Sequence, residues 1–333
     1  MSHPFAVTAR NGFLPLSAPP RRLPPAYAPL DEIVRSLPAL LAARDGALAA
    51  AVAALPRLPV EREADPRVLQ ALMRDYSVLV SAYLLEGGAR RGGGAGGAAP
   101  PSPPRRVVPA NLAVPFAAVA AAVDEPTIMS YDSYALFNCH HVNEGEREGE
   151  REREGERERE AAARSYAGWA WADLRLVRAF DGGPEEATFV LVHAEIESHS
   201  PALVGAYDAV LDALGRKGPA LPPTPPRLAA VAAGLAAVRD ALQRIVVSQL
   251  KMFNASDPRR YESKVRPWIF GWKGNPELPD GVVFEGVAGG APTFLRGETG
   301  AQSTIVPSLD AFLGIAHRSD ALREMLQVRT RRG

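Results

Sequence analysis

The sequence predicts a mainly α-helical fold, and three segments carry that prediction. After Pro66, apolar residues recur at i, i+3, i+4 and i+7, which indicates a helix with one buried face. A second helix is expected from Ser200, where Pro201 suits the first turn and Gly215 can end it. Residues 226–253 keep a heptad-like apolar stripe, so the C-terminal half is expected to be largely helical.

The N-terminal part is expected to form a small helical or mixed domain over residues 1–180, followed by a larger all-α domain over 181–333. The chain of 333 residues is long enough for one large domain or two ordinary ones. Asp31 is predicted to cap a helix whose apolar side chains lie on one side. Pro38 is predicted to kink this helix or to split it in two.

Two low-complexity segments interrupt this organisation. Residues 87–105 combine flexible glycine with stiff proline, and they are predicted to be a disordered insertion because they bury too little surface to offset their ordering entropy. Residues 139–163 include a run of Glu, Arg and Gly without an apolar face, which is typical of a solvent-exposed or unfolded insert. No function is assigned to His140 and His141, at its start.

Composition excludes several classes of function. Lys and Arg together number 38, as do Asp and Glu, so no overall field favours nucleic acid or an anionic membrane as a partner. No apolar run reaches the ~18 residues that a membrane span needs. The single cysteine, Cys139, rules out an intrachain disulfide and suits a reducing compartment. We therefore expect a cytoplasmic protein without a nucleic-acid or membrane partner.

Residues 264–315 are predicted to form the wall and lid of a ligand cavity. The helix that enters this segment opens at Asp257 and carries Tyr261 on its apolar face, with Arg266 one residue off that face. The prolines of the following NPELPDG run cannot continue the helix. An ordered loop of this length inside a compact domain is usually functional.

A family resemblance is carried by two runs of this segment, GWKGNPELPDGVVFEGV and FLRGETGAQSTIVPSLDAFLGI. Both are similar to the indoleamine 2,3-dioxygenases, as is SYDSYALFN at 130–138. The resemblance implies that 181–333 is a haem-binding domain and that the protein opens the indole ring of L-tryptophan, or of a related indole amine, to N-formylkynurenine. This is the first step of the kynurenine pathway. It further implies haem b as cofactor, dioxygen as co-substrate, an external electron donor and a monomeric state.

By the same resemblance, Arg266 and Tyr261 contact the substrate. Arg266 is implied to pair with the substrate carboxylate, a task that suits a bidentate guanidinium. Tyr261 lies where the family carries an aromatic residue against the indole. The alternatives from the residues alone are an arginine that extends from its helix into solvent and a tyrosine that packs in the core.

His193 is the residue that the resemblance implies as catalytic. Aligning Phe189 with the family's pocket phenylalanine places His193 over the distal face of the haem, where indoleamine dioxygenases usually carry serine and the related tryptophan 2,3-dioxygenases use histidine. A histidine there could bond the indole N–H or bound oxygen, and a satisfied helix histidine is the alternative. Glu197 stands four residues on, a spacing that allows a shared metal, but no third and fourth ligand stand at suitable spacing.

The resemblance implies that the polar loop at 296–303 is a mobile lid. Thr299 and Gly300 would contact substrate, and Gly300 with Ala301 would contact the cofactor; the flanking glycines suit a hinge. The loop lacks the lysine of a phosphate-binding loop. Tyr131 matches a family residue that lines the deep pocket, with core packing as its alternative.

The family's iron is held by a proximal histidine on a helix beyond the SLDAFLGI run. None of the six histidines of this sequence stands on such a helix, so the metal ligand is left unassigned. We therefore expect an incomplete version of a longer enzyme, which would leave the apolar face of 226–253 exposed. The alternatives are a degenerate paralogue without haem and a non-catalytic helical protein that binds a small ligand.

Overall fold

The computed structural model describes residues 6–43, 46–92, 103–142, 169–215, 222, 224–317 and 319. Over these ranges the chain is predominantly helical, which confirms the predicted fold class. Within them, no helix is both long and apolar enough to cross a bilayer. The Glu, Arg and Gly run that was predicted to be an insert lies entirely outside the described residues.

The first half of the described chain holds short helices and one long one. Pro38 splits the first predicted helix in two, as one of the two predicted outcomes. The prediction that Asp31 caps that helix is wrong, because Asp31 lies within its first turn and accepts a hydrogen bond from the Leu23 N–H instead. These helices are α1 (Ala28–Arg35), α2 (Leu37–Ala43), α3 (Ala47–Ala54), α4 (Pro66–Gly92) and α5 (Ala110–Val123).

The second half builds the candidate site. The helix from Ser200 ends at Gly215, whose φ of 87° is the left-handed conformation that glycine favours. The apolar stripe at 226–253 lies on one long helix, as predicted. The described helices here are α6 (Pro184–Glu197), α7 (Ser200–Leu214), α8 (Pro225–Ala255), α9 (Pro258–Lys264), α10 (Arg266–Ile269) and α11 (Ile305–Leu313).

Two short strand pairs join distant parts of the chain. β1 (Val107–Val108) pairs in parallel with β4 (Val283–Phe284), and β2 (Cys139–His141) pairs antiparallel with β3 (Leu174–Leu176). Two predicted insert boundaries are therefore wrong. Residues 139–141 form a paired strand, and α4 continues through Gly92, so it includes the first six residues of the segment that was predicted to be disordered. Regular backbone hydrogen bonding stabilises both stretches in spite of their polar or glycine-rich composition.

The largest apolar cluster combines both halves of the chain. It contains Tyr76 on α4, Phe116 on α5, Phe189 on α6 and Trp272 after α10. A second cluster joins α6, α7, α8 and α11, with Val238 of α8 among its members. Because the larger cluster crosses residue 180, the division into domains at that residue stays a prediction.

The long helix α8 buries only part of its apolar stripe. Val238 and Ile245 are buried, whereas several large apolar side chains on the same helix are exposed. The expectation that part of this face would be exposed is confirmed. The exposed side chains on α8 are Leu228, Leu235, Val246, Val247, Leu250 and Phe253.

A buried ion network joins the N-terminal segment to α4 and β3. The Arg178 guanidinium donates to both carboxylate oxygens of Asp75, at 2.8 Å from Nη2 and 3.0 Å from Nε, and to Asp31 at 2.5 Å. Arg74 donates to the same Asp75 at 2.7 Å. The Arg178, Arg74 and Asp75 side chains are almost completely inaccessible, so each charge depends on its partners for stabilisation.

Candidate active site

Helix α6 presents one row of functional side chains. Phe189, His193 and Glu197 follow one another at intervals of four residues, a spacing that places side chains on the same face of a helix. Glu186, at the start of this helix, accepts hydrogen bonds from the N–H groups of Phe180 and Gly182 at 2.8 and 2.9 Å. These bonds fix the loop that leads into α6 and hence the orientation of the row.

Aromatic side chains from two other segments close around this row. The Tyr131 ring lies edge-on to His193 with 5.5 Å between ring centroids, and the Phe189 ring lies 4.6 Å from His193 on the other side. Tyr261 of α9 packs against Phe189 at 5.0 Å, and Tyr134 lies 6.4 Å from the same ring. The structure thus brings together four of the predicted site residues, Tyr131, Phe189, His193 and Tyr261.

The hydrogen bonding of His193 leaves one ring nitrogen free. Nδ1 lies 2.6 Å from the Phe189 carbonyl oxygen and therefore donates to it. Nε2 has no hydrogen-bond partner among the described residues and faces Gly300, where a Cβ atom would come within 3.0 Å of it. Burial lowers the pKa of this imidazole, which favours the neutral form with a lone pair on Nε2.

The loop that was predicted to be a lid is anchored at both ends. Gly297 packs so closely on α10 that a Cβ atom there would lie 1.9 Å from the Ile269 carbonyl oxygen, so only glycine fits. At the other end, the Gln302 side chain accepts from the Tyr131 N–H at 3.1 Å. Between these anchors the 3₁₀ turn Gly300–Gln302 brings Gly300 against the imidazole. Thr299 precedes this turn, and the backbone of Ala301 lies within it.

Two buried glutamates, Glu197 and Glu298, belong to the site although the sequence analysis did not predict them as site residues. Glu197 accepts hydrogen bonds on Oε1 from the Tyr131 hydroxyl at 3.2 Å and from the Ser303 hydroxyl at 2.5 Å, whereas its Oε2 has no partner among the described residues. Burial raises its pKa to about 7, although both hydrogen bonds lower it. Its position four residues after His193 could have predicted that both side chains lie on the same face of the helix.

Glu298 is the more unusual of the two. It is 6% exposed, and neither carboxylate oxygen has a hydrogen-bond partner among the described residues. Burial raises its pKa to about 8. The sequence signal was a carboxylate between the two glycines of the loop, a position where a polar tip would be expected to face solvent.

Arg266 is not among the residues that the structure brings together. Its side chain is 44% exposed, forms an ion pair with Glu262 at 2.5 Å and lies over the exposed Phe270 ring at 4.7 Å. This arrangement matches the alternative of an arginine that extends from its helix. Tyr261 lies close enough to both Arg266 and Glu298 for each charge to affect its pKa, so Arg266 stands at the rim of the site. A carboxylate-binding role for Arg266 stays a prediction.

The described residues fit one face of a haem pocket. His193, Phe189 and the Gly300 turn lie together with a free imidazole nitrogen, and Gly300 approaches that nitrogen so closely that a Cβ atom there would come within 3.0 Å of it. The part of the chain that the structure describes holds no cluster of three or more His, Cys, Asp or Glu side chains that could bind a metal ion. His199 bonds Ser248 at 2.9 Å, and His317 bonds Asp310 at 2.6 Å.

One cavity of the described chain lies away from this site. It has a volume of about 270 Å³ and is mainly polar. It contains none of the predicted site residues, so the aromatic cluster and not this cavity defines the candidate active site. Its lining residues are Arg21, Arg22, Arg35, His140, Leu176, Val177 and Arg178.

The fold and the site define a class of helical protein with an aromatic site built on one helix face and covered by a glycine-rich loop. The indoleamine 2,3-dioxygenase family model matches residues 1–331, and the chain belongs to that family. It is 27% identical over 302 residues to indoleamine 2,3-dioxygenase 1 of Rattus norvegicus, with 91% of this chain and 63% of the relative covered. It is 27% identical over 321 residues to indoleamine 2,3-dioxygenase 2 of Homo sapiens, covering 95% and 67%. The chain thus spans about two thirds of the length of these relatives.

Proposed function

We propose that this chain carries the substrate side of a haem-dependent dioxygenase that opens the indole ring of L-tryptophan or a related indole amine to N-formylkynurenine. The observation that supports it best is the convergence of Tyr131, Phe189, His193 and Tyr261 with the Gly300 turn. Family membership gives the reaction class, and the names of the relatives give the indole substrate. Haem, when bound, supplies the activation of dioxygen.

Phe189 and Tyr261 are the residues proposed to bind the indole ring. Their ring centroids are 5.0 Å apart and their planes are inclined by 35°, which forms an apolar aromatic surface. Offset and edge contacts between aromatic rings contribute about 0.5–1.5 kcal/mol beyond the area they bury. An indole packed here would lie against the same helix face that carries His193.

His193 is proposed to orient the substrate through its free nitrogen. Because Nδ1 donates to the Phe189 carbonyl oxygen, Nε2 is an acceptor and suits an indole N–H. A neutral imidazole is required for this role, and burial favours that form. Gly300 and Ala301 are proposed to lie against the edge of the cofactor, and Arg266 at the rim to pair with the substrate carboxylate.

Reconstitution with haem tests the proposal directly. We expect the full-length protein, supplemented with haem, to show a Soret band that shifts with carbon monoxide, and to form N-formylkynurenine from L-tryptophan with dioxygen and a reductant. A chain that stays colourless would contradict haem binding by this chain. Calorimetry with L-tryptophan on the haem-free chain then separates the enzyme from a non-catalytic indole-binding protein, since only the latter needs no haem to act.

Two histidine variants distinguish a loss of catalysis from a general loss of folding. His193→Ala should lower product formation by at least about tenfold, because an oriented hydrogen bond to the reacting group is lost. His199→Ala is the matched control, since His199 bonds Ser248 outside the aromatic cluster and should keep activity within about twofold. Equal losses in both variants would contradict the role of His193.

A further inference from the structure

The buried carboxyl group of Glu298 has no role in the function proposed above. A carboxylate that is removed from water without hydrogen bonds is strongly unfavourable, so native proteins pair such groups or bind something with them. Glu186, at the start of α6, shows the usual arrangement, with three backbone N–H groups and the Tyr134 hydroxyl donating to it. Glu298 has no equivalent set of donors among the described residues.

Burial alone accounts for the raised pKa of Glu298, and no basic group among the described residues lowers it. Its charge acts on the pKa of both Tyr134 and Tyr261, whose rings lie 6.4 Å and 5.0 Å from the Phe189 ring. The Tyr134 hydroxyl is already committed to Glu186 at 2.8 Å. His193, which faces the same loop, is held neutral by burial. An acceptor among aromatic faces is the combination that organic ammonium groups prefer.

We propose that Glu298 is the residue that binds the ammonium group of the substrate. This rests on the proposed function, because the indole would occupy the Phe189 and Tyr261 surface. Arg266 and Glu298 both lie close enough to Tyr261 to affect its pKa, and they shift it in opposite directions because their charges are opposite. An amino-acid zwitterion would then find a cation at the rim and an anion inside, whereas a simple amine needs only Glu298.

Binding of an ammonium group beside Glu298 should release a proton, which can be measured on the wild-type chain. A carboxyl group with a pKa of about 8 is mostly protonated at about pH 7, and an ammonium beside it favours the ionised form. Binding of tryptamine, whose alkyl ammonium remains charged to about pH 10 as in lysine, should release close to one proton at about pH 7. At about pH 9 the carboxyl is already ionised, and the release should largely disappear.

Calorimetry in buffers of different ionisation enthalpy measures this release. The groups that face the site are Tyr134, Tyr261, His193 and the second carboxyl, Glu197. The tyrosines have pKa values raised far above this range and His193 is neutral, so Glu197, with a pKa of about 7, is the group to exclude. Glu197→Gln should keep most of the proton release, and Glu298→Gln should abolish it.

Ligand preference gives the second measurement. We expect the wild-type chain to bind L-tryptophan and tryptamine at least about tenfold more tightly than indole-3-propionate, because a charge-assisted hydrogen bond contributes that much. Glu298→Gln should remove this preference and leave the affinity for indole-3-propionate unchanged. Glu197→Gln should retain the preference, which distinguishes ammonium binding from a general loss of buried charge.

The outcomes separate the two proposals. If the wild-type chain binds none of the three indoles, the proposed function fails and Glu298 has no substrate to recognise. If it binds all three alike, with no proton release, the role of Glu298 is overturned and the proposed indole site stands. Retained preference in a folded Glu298→Gln variant, checked by circular dichroism, would overturn it as well.

Discussion

Two clusters of buried charge in this protein differ in how they are satisfied. Around Arg178 every guanidinium has carboxylate partners, and Asp75 accepts from both Arg178 and Arg74. On the loop and helix of the candidate site, Glu298 has no donor and Glu197 leaves one oxygen without a partner among the described residues. The first cluster is compensated within the protein, whereas the second leaves buried carboxylate oxygens without donors, and such oxygens are costly to keep out of water.

The electrostatic consequences differ in the same way. Burial lowers the pKa of Arg178, but the Asp75 and Asp31 carboxylates outweigh it and hold that pKa above its ordinary value, whereas burial leaves the pKa of Arg74 lowered. Burial raises the pKa of Glu197 to about 7 and of Glu298 to about 8, which makes the site sensitive to pH near neutrality.

Removing Arg178 should cause the largest loss of stability. Arg178→Met leaves Asp75 and Asp31 with weaker compensation inside the protein, and breaking a buried pair in this way costs about 3–5 kcal/mol. We expect a loss near the upper end, because two carboxylates lose a partner, measured by urea unfolding followed by circular dichroism. Arg22→Ala is the control: Arg22 also pairs with Asp31 but is 62% exposed, so about 1 kcal/mol or less is expected. A similar loss in both variants would remove the contrast.

Glu298 should make the free energy of unfolding depend on pH. Its pKa is about 8 in the folded state and close to 4.5 in the unfolded chain, so between these values the folded state binds the extra proton. The free energy of unfolding should therefore fall as pH rises through this window, by about 3–4 kcal/mol between pH 5 and pH 8. Unfolding curves of wild type and Glu298→Gln, measured at several pH values, should differ by this amount.

Glu197→Gln is the natural comparison for that experiment. It should remove a smaller part of the pH dependence, which ends near pH 7 because the Glu197 pKa is lower. Above pH 8 the Glu298→Gln variant should be more stable than wild type, since it no longer buries an uncompensated charge. A wild-type protein whose stability is flat between pH 5 and pH 8 would contradict the burial of both carboxylates.

Two kinds of sequence signal predicted parts of this structure, one for the helices and one for the candidate site. Helical periodicity correctly located α4, α7 and α8, because their apolar faces follow a local spacing rule. The resemblance selected Phe189, His193, Tyr131 and Tyr261, which the structure brings together. Both predictions succeeded because they depend on residues that are close in sequence or on a motif shared with the family.

Long-range pairing explains what sequence reasoning missed. Asp31 was expected to cap α1, but its partner Arg178 is 147 residues away and could not be read from local pattern. The strand at 139–141 was taken into an insert because its partner, β3, follows the charge repeat. Glu298 stands in a polar loop that would ordinarily face solvent, and only the packing of Gly297 on α10 turns the loop inward.

The smallest effect is expected from the hydrogen bonds that Glu197 does make. Tyr131→Phe removes the donor at 3.2 Å and Ser303→Ala the donor at 2.5 Å, so each should cost about 1–2 kcal/mol, with the serine change larger. Loss of either donor should also raise the Glu197 pKa above about 7 and move the corresponding pH transition upward.

Tyr76→Phe supplies the matched control for Tyr131→Phe. Tyr76 is also completely buried, but its hydroxyl has no hydrogen-bond partner among the described residues, so its removal should be neutral or slightly stabilising. Urea unfolding of both variants at about pH 6 and pH 8 measures the contrast. If Tyr131→Phe were as harmless as Tyr76→Phe, the Tyr131 hydroxyl would not stabilise Glu197, and that carboxyl would join Glu298 as a group without an effective donor.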